Sequence, residues 1–248
     1  SLGRSFGEKT MLAIAATAGF NTTAQRKPPV VHIQNPSKPW RCKYDSDLLM
    51  SHFWALQSIY DGLKLMQIAG VYSISGNLSF AAEYNGILIE DDYDIEISIH
   101  EDYPYTVPAV KETGGKVPRD FHTNDNDILC LGAPLENKIK FAAHKTLLGF
   151  VEKLLIPFLY SCSFKLEYGK MPYGELPHGT AGIIENYMSI FCVRDCRQVL
   201  GLLKVLDSND QNLERPCPCG SNLPLSNCHG KRLAAIKAYQ SPEHFMAD

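Results

Sequence analysis

The sequence has little excess charge of either sign. Its 24 lysine and arginine residues nearly balance 27 aspartate and glutamate residues, which leaves a formal net charge of −3 over 248 residues. A chain without a strong positive field lacks the attraction that dominates binding to nucleic acids. No apolar run is predicted to be long enough to span a bilayer. We therefore expect neither a nucleic acid nor a membrane as a partner.

Cysteine is present, but its spacing is not that of a disulfide framework. The chain has eight cysteines, and three of them cluster with a histidine at metal-ligand spacing near the C-terminus, which favours a reducing compartment. The short apolar run at residues 11–20 is predicted to form a helix rather than a signal-peptide core. We therefore expect a cytoplasmic protein. Cys192 and Cys196, four apart on a predicted helix, are expected in the core.

Apolar periodicity predicts an α+β domain. Residues 46–69 repeat apolar side chains at intervals of three and four, which indicates a helix. Alternating polarity and turn residues then indicate strands at 71–84, 85–93, 94–101 and 110–114, with turns at Asn85-Gly86 and Asp91-Asp92. The predicted architecture is a four-stranded antiparallel meander flanked by helices.

The rest of the chain is predicted to be mainly helical. Residues 145–166 indicate an apolar helix that Pro157 ends or kinks, and residues 181–206 indicate one or two helices. The predicted domains are an N-terminal extension at 1–45, a main domain at 46–206, a polar linker at 207–216 and a metal-binding segment at 217–248.

One polar loop ends in a cysteine, within the stretch FHTNDNDILCL at residues 121–131. Cys130 lies between two leucines, so we expect its sulfur at the rim of a groove, where the thiolate can attack a carbonyl. His122 and Asn124 are the candidate groups to orient this thiol or to stabilise developing charge.

Two aspartates complete this loop. Asp125 and Asp127 are expected to close the turn, and their charge disfavours the thiolate form of the cysteine. Such surroundings suit a thiol that carries an acyl group better than they suit a hydrolase. The same carboxylates are candidates to deprotonate an incoming lysine amine.

The order of these features resembles that of the ubiquitin-conjugating enzymes. In that family a His-Pro-Asn triplet precedes a Gly-x-Ile-Cys-Leu segment, as His122, Thr123 and Asn124 precede Cys130 here. The segment EDYPYTVP at 101–108 resembles the family's Tyr-Pro-x-x-Pro-Pro turn. Thr123 and Asp127 stand where the family has Pro and Gly, and the family's downstream Trp is missing.

This resemblance, which covers roughly residues 45–190, implies a UBC fold and a transferase. Cys130 would carry the C-terminus of a ubiquitin-like modifier or partner protein as a thioester and pass it to an amine. The resemblance also implies a bacterial relative of the eukaryotic machinery. Its candidate partners are an activating enzyme and a nucleotidyltransferase of antiphage defence.

Two alternatives remain open at this point. One is a catalytically silent variant of the same fold that only binds partner proteins. The other is a cysteine hydrolase that pairs Cys130 with His122 or His144. Tyr173 and His178, in a loop rich in glycine and proline, are further candidates for a place near the groove.

A second motif, CPCGSNLPLSNCH, lies at residues 217–229. Cys217, Cys219, Cys228 and His229 offer three thiolates and one imidazole, a set that suits tetrahedral zinc. The motif resembles the SEC-C zinc motif, which shares its Cys-Pro-Cys-Gly-Ser opening and its Cys-His ending. Because four protein ligands leave no open position, the zinc is predicted to be structural. A short basic helix is predicted at 231–240.

Overall fold

A computed structural model describes residues 45–124, 126–173, 179–208 and 212–247. These residues all belong to one compact unit that spans Cys42–Asp248. The predictions made for residues 1–44, Asp125 and His178 lie outside the described residues.

After a first helix, strands occupy the first half of the described chain, and helices occupy the second. The elements are α1 Ser46–Gln57, β1 Leu63–Ile68, β2 Val71–Tyr84, β3 Ile87–Ser98, β4 Ala109–Glu112, α2 Pro134–Ala143, α3 Leu147–Phe150, a π-helical turn Val151–Leu155, α4 Ile156–Tyr168, α5 Gly179–Phe191, α6 Cys196–Asp207, a 3-10 turn Leu225–Asn227, α7 Gly230–Ile236 and α8 Pro242–Ala247.

The four strands form an antiparallel sheet in the order β1-β2-β3-β4, which confirms the predicted meander. Asn85 and Gly86 both have positive φ and close the β2–β3 hairpin, as their sequence predicts. Ile74 of β2 and Ile97 of β3 are paired and fully buried. One face of the sheet therefore packs on the helices.

The helix predicted for residues 46–69 is wrong in its second half. α1 ends at Gln57, and Leu63–Ile68 form the edge strand β1. Gly62 lies so close to β2 that a Cβ there would overlap the carbonyl oxygen of Asn77. This close approach between two backbones fixes the chain as a strand, although its apolar spacing also fits a helix.

The turn predicted at Asp91-Asp92 is also wrong, because β3 pairs with β2 without a break from Ile87 to Ser98. The Asp92 carboxylate accepts a hydrogen bond from Asn77 Nδ2 at 2.8 Å, which ties it to the neighbouring strand. The strands predicted at 85–93 and 94–101 are therefore one strand, and β1 supplies the fourth.

Pro157 neither ends nor breaks the long apolar helix. α3, the π-helical turn and α4 form one helical run, Leu147–Tyr168. In the π-helical turn the amide of Ile156 donates to the carbonyl of Val151. Because proline lacks an N–H and its ring clashes with the carbonyl four residues back, a widened turn just before it lets the helix continue.

This run is, among the described residues, the one helix long and apolar enough to cross a bilayer. The sequence-based expectation that no segment reaches that length is therefore wrong. However, 72% of its apolar window is buried inside the protein, so it serves as the central core helix.

Buried side chains form two separate apolar clusters. The sheet core joins α1, the strands and Leu147–Tyr168. The C-terminal core instead joins α2, α5 and α6 to the metal-binding segment, through residues that include Leu135, Tyr187, Phe191, Val199, Leu202, Leu206, Cys217, Leu225, Leu233 and Phe245. The apolar side chains of α5 and α6 thus pack with residues that follow the predicted linker.

A partly buried polar network connects β3 to α4. Tyr93 Oη lies 2.7 Å from Ser163 Oγ, and Ser163 Oγ donates to Asp91 Oδ2 at 2.7 Å. Lys116 forms an ion pair with Asp91 and places its ammonium 4.6 Å above the Tyr93 ring. Burial opposes ionisation of Asp91, but the hydrogen bonds from Lys116 and Ser163 outweigh it and lower its pKa.

This network makes stability depend on pH below neutrality. The folded-state pKa of Asp91 lies below its ordinary value of 3.8, so its contribution is complete above that value and is lost as the pH falls through the folded-state pKa. We expect Asp91→Asn to lower the free energy of unfolding by about 1–3 kcal/mol at pH 7. The free energy of unfolding of this variant should also change less than that of wild type as the pH falls. Urea unfolding between pH 7 and pH 2.5 measures both effects.

Glu90 provides the matched control, since it is an exposed carboxylate on the preceding residue. Glu90→Gln should keep the wild-type pH profile. An Asp91→Asn profile that runs parallel to wild type at every pH would contradict this role for Asp91.

Candidate functional site

Residues 122–130, of which Asp125 is not described, form a short paired segment that we call the Cys130 hairpin. Its two arms pair at Thr123 and Leu129, and the amide of Cys130 donates to the carbonyl of His122 at 2.7 Å. Asn124 N likewise donates to Ile128 O at 2.9 Å. His122 and Cys130 therefore lie opposite each other at the base of the hairpin.

The hairpin is attached to the free edge of the sheet. Leu129 N donates to Val110 O of β4 at 2.8 Å, and Ile128 bridges to Lys111. Leu129 is buried in the sheet core. Cys130 is thus held directly beside a rigid strand rather than on an open loop.

Left-handed backbone shapes both ends of the hairpin. Asp127 has a φ of 58° and His122 a φ of 45°. Aspartate tolerates this conformation better than most residues, which explains how Asp127 occupies a turn position where glycine is expected. The expected turn-closing role fits the Asp127 amide, which donates to Asn124 O at 3.0 Å.

The Cys130 sulfur is accessible, in contrast to the thiol on the core helix. Cys130 is half-buried, with its Sγ 3.8 Å from the carbonyl oxygen of Gly132. Cys162 is fully buried, and this burial raises its pKa. Of these two thiols, Cys130 is therefore the one in contact with solvent.

The polar residues of the hairpin differ in their surroundings. Asn124 and Asp127 are exposed. The half-buried ring of His122 packs edge-on against Phe121, with centroids 5.0 Å apart, and lies 6.5 Å from the Phe158 ring. These aromatic contacts suit a residue that anchors the hairpin, and proton transfer by His122 stays a prediction.

A shallow groove of about 370 Å³ runs beside the hairpin. Thr123, Asp127 and Leu129 line it, together with Lys111 and Arg119 from β4 and the loop that follows. Sequence analysis did not identify Lys111 or Arg119, because only the pairing of the hairpin with β4 brings them there. The groove therefore offers both charge signs and the side chain of Leu129, the residue before Cys130; Cys130 itself is not among the lining residues.

Among the described contacts of Tyr173 and His144, none involves Cys130. Tyr173 is exposed, and its ring packs edge-on against Tyr84 at the end of β2, 4.5 Å between centroids. His144 is exposed and terminates α2, where its amide donates to Phe141 O.

The second predicted set of residues is brought together by the fold. The ligand atoms of Cys217, Cys219, Cys228 and His229 all lie within 4.8 Å of one another. His229 Nδ1 is 3.2 Å from the sulfurs of Cys217 and Cys228, and the sulfurs of Cys219 and Cys228 are 3.5 Å apart. Zinc–ligand bonds of about 2.0–2.3 Å in a tetrahedron require separations of roughly 3.3–3.8 Å. The cluster is therefore compatible with zinc, and we call it the metal cluster.

A backbone carbonyl at the end of α5 orients the His229 ring. His229 Nε2 lies 2.9 Å from the carbonyl oxygen of Phe191, the last residue of α5. A carbonyl only accepts, so Nε2 carries the proton and Nδ1 is left to ligate a metal. A backbone carbonyl has no signature in a sequence, so this contact was not predictable.

Hydrogen bonds distinguish the thiols within the metal cluster. Burial raises the pKa of Cys217 to about 11. Burial also opposes ionisation of Cys219, but hydrogen bonds from Ser221 and the neighbouring thiols lower its pKa to about 6. Gly220 has a φ of 81°, and its amide donates to the carbonyl of Cys217 at 3.2 Å, which closes a tight turn around Cys219.

The expectation that Cys192 and Cys196 lie in the core is wrong, since both are exposed. Cys192 has a φ of 56° just after α5, and Asp195 caps the start of α6. The two cysteines thus flank a turn between helices rather than one face of a single helix.

The fold and its two sites define an α+β protein with a four-stranded antiparallel meander, an accessible cysteine beside the sheet edge and a Cys₃His cluster. No family model matches the chain, and no curated protein matches it. Among solved structures, the chain has a weak similarity to the yeast vps23 UEV domain in complex with a vps27 PSDP peptide. The TM-score is 0.32 and the identity 15%, over 47% of this chain and 82% of that one.

Proposed function

We propose that the protein is a transferase of the ubiquitin-conjugating type that carries a protein C-terminus as a thioester on Cys130. The observation that carries the proposal is the accessible sulfur of Cys130, held by hydrogen bonds at the sheet edge. The motif resemblance adds a ubiquitin-like modifier as the cargo and an activating enzyme as its supplier. The same resemblance is the basis for a role in antiphage defence beside a nucleotidyltransferase, and the cysteine spacing is the basis for a cytoplasmic location.

The proposed reaction has two acyl transfers. The Cys130 thiolate attacks an activated C-terminal carbonyl, an S–C bond forms, and the leaving group of the activating enzyme departs. An acceptor amine then attacks the thioester, a C–N bond forms and the C–S bond breaks, which returns the thiolate. Because the thioester is already activated, position and charge stabilisation supply most of the catalysis.

Each polar residue of the hairpin has a proposed part in these steps. Asn124, exposed near the tip, donates its side-chain amide to the oxyanion. Asp127, exposed on the groove, accepts a proton from the incoming amine. His122 holds the hairpin in place through its aromatic contacts and its backbone bond to Cys130.

Cys130→Ala should abolish adduct formation completely. The protein is mixed with a candidate activating enzyme and modifier encoded near its gene, and a thiol-sensitive adduct is sought on non-reducing gels and by mass spectrometry. Cys130→Ser should trap a thiol-resistant ester, because an oxygen ester resists exchange with added thiol.

Cys192→Ala is the matched control, since Cys192 is an exposed thiol outside the Cys130 hairpin, and it should form the adduct as wild type does. An adduct that survives in Cys130→Ala would overturn the proposal. If no combination gives an adduct while modifier binding persists, the silent binding module is favoured. Turnover of peptide or ester substrates would favour the hydrolase.

We also infer that the metal cluster holds a structural zinc ion. The donor set and its separations fit zinc, and the four protein ligands occupy every tetrahedral position. When bound, the ion fastens the loop at 217–229 and leaves no site for a substrate.

A further inference from the structure

A glutamine of α6, Gln198, binds the loop that carries the metal ligands. Gln198 Nε2 donates to the carbonyl oxygen of Cys219 at 2.6 Å, while its Oε1 accepts from the amide of Arg194 at 3.2 Å. Both ends of the side-chain amide are used, so its orientation is fixed: the end facing a carbonyl must be the NH₂ group. The glutamine thus ties the turn before α6 to a metal ligand.

A glycine on the same helix allows this docking. A Cβ at Gly201 would lie 2.7 Å from Cβ of Pro218, the residue between the first two cysteines. That distance is shorter than a normal carbon–carbon contact. The loop therefore sits directly on the helix surface, one turn beyond Gln198.

The third contact comes from the other end of the loop. His229 Nε2 bonds to the carbonyl oxygen of Phe191, at the end of α5. The two ends of the loop at 217–229 are thus each bound by a helix. Gln198 of α6 binds the first end through its side chain, and Phe191 of α5 binds the last end through its backbone carbonyl.

We propose that Gln198 is a positioning residue for the metal cluster, and that zinc binding and the packing of α5 against α6 form one linked equilibrium. This proposal rests on the zinc ion proposed above. Gln198 touches no ligand atom; it fixes the carbonyl of Cys219 and thereby the direction of that thiolate. Outer contacts of this kind are typically worth 10- to 100-fold in metal affinity.

Linkage follows from the same contacts. If zinc orders the loop, it also fixes the partners of Gln198 and of the Phe191 carbonyl, and so stabilises the turn between α5 and α6. Conversely, a change on α6 that displaces the loop weakens zinc binding without altering any ligand.

Gln198→Met tests the positioning role, because it keeps the length of the side chain and removes both hydrogen bonds. We expect its zinc affinity, measured by competition with a chromophoric chelator, to fall by about 10-fold or more. Arg197→Met, an exposed position on the same turn of α6, should stay within about twofold of wild type on the same competition scale. The cobalt-loaded proteins should show the ligand-field absorption of a tetrahedral site.

Gly201→Ala tests whether the position of the loop on α6 controls zinc binding, and it removes no hydrogen bond. Alanine favours a helix over glycine by about 1 kcal/mol, so α6 itself should gain stability. We nevertheless expect weaker zinc binding, because the added methyl group pushes Pro218 away. Leu200→Ala, at an exposed position on the same helix, is the control.

Hydrogen exchange of the wild-type protein tests the linkage. Removal of zinc with a chelator should speed amide exchange in α5 and α6, and leave β2 and β3 unchanged. Zinc affinities of Gln198→Met and Gly201→Ala within about twofold of wild type would overturn the positioning role. Unchanged exchange in α5 and α6 would overturn the linkage. A wild-type protein that binds no zinc would instead refute the zinc proposal, and this inference with it.

Discussion

Removal of the proposed zinc ion should destabilise the C-terminal core while the sheet core stays folded. α7 has seven residues and α8 has six, lengths far below those at which isolated helices are stable in water. The segment from 212 to 229 contains one short 3-10 turn among its described elements. With so little regular structure of its own, this part of the protein should depend on the proposed zinc ion to fix its course.

The expected magnitude is large. Structural zinc supplies roughly 10–16 kcal/mol of apparent binding free energy in small zinc-binding peptides at neutral pH. The apolar side chains of the C-terminal core, such as Leu225, Leu233 and Phe245, retain part of the stability here. We therefore expect a loss of protection confined to that core rather than complete unfolding of the chain.

Chelator titration followed by circular dichroism and hydrogen exchange measures this loss, and Cys228→Ser should reproduce it without a chelator. Cys196→Ser is the matched control, since Cys196 is exposed outside the metal cluster. Equal protection of α7 with and without zinc would show that the apolar contacts suffice and that the metal is dispensable.

Gly76→Ala should be the most damaging small substitution in the sheet. Gly76 has a φ of 141°, and a Cβ there would overlap the backbone carbonyl oxygen of Gly62. This backbone conformation is accessible mainly to glycine. The atom that the added Cβ would meet belongs to the backbone of Gly62, so it cannot move aside as a flexible side chain could. Backbone strain of about 1–3 kcal/mol and overpacking of about 1–3 kcal/mol together predict a loss of about 4 kcal/mol.

Gly86→Ala separates the two causes of that loss. Gly86 also has positive φ, at 78°, but a Cβ there meets nothing within 4 Å. Its substitution should cost only the strain, about 1–2 kcal/mol. Urea unfolding of both variants gives the difference directly. Equal losses for the two glycines would mean that β1 can move away from β2 at little cost.

The parts of the fold that local rules determine were predictable. Asn85-Gly86 forms its hairpin because both residues accept positive φ, whatever surrounds them. The spacing of Cys217, Cys219 and His229 likewise predicts one cluster, since twelve or fewer intervening positions leave little freedom in where the ligands can go.

The errors arise where distant residues decide between two local possibilities. Leu63–Ile68 suits either a helix or a strand, and the approach of Gly62 to Asn77 selects the strand. Asp91-Asp92 suits a turn, but Lys116 and Asn77 bind the two side chains within the sheet. Neither pairing leaves a trace in the local pattern.

In the candidate site, too, some residues were predictable from a local motif and others only from contacts between distant segments. Cys130 and Asn124 were identified from a short motif, whereas Lys111 and Arg119 reach the groove only because the hairpin joins β4. Gln198 is 21 positions from the cysteine whose carbonyl it holds, and an isolated glutamine on a helix has no feature that marks such a role.

The exposed turn between α5 and α6 provides an optical reporter of metal occupancy. Cys192 directly follows Phe191, whose carbonyl oxygen accepts the hydrogen bond from His229 Nε2. A fluorescent dye attached to Cys192, with Cys42, Cys130 and Cys196 replaced, would sit one residue from that contact. Its emission should change on zinc loading, so the occupancy of the metal cluster becomes readable in real time, independently of any chemistry at Cys130.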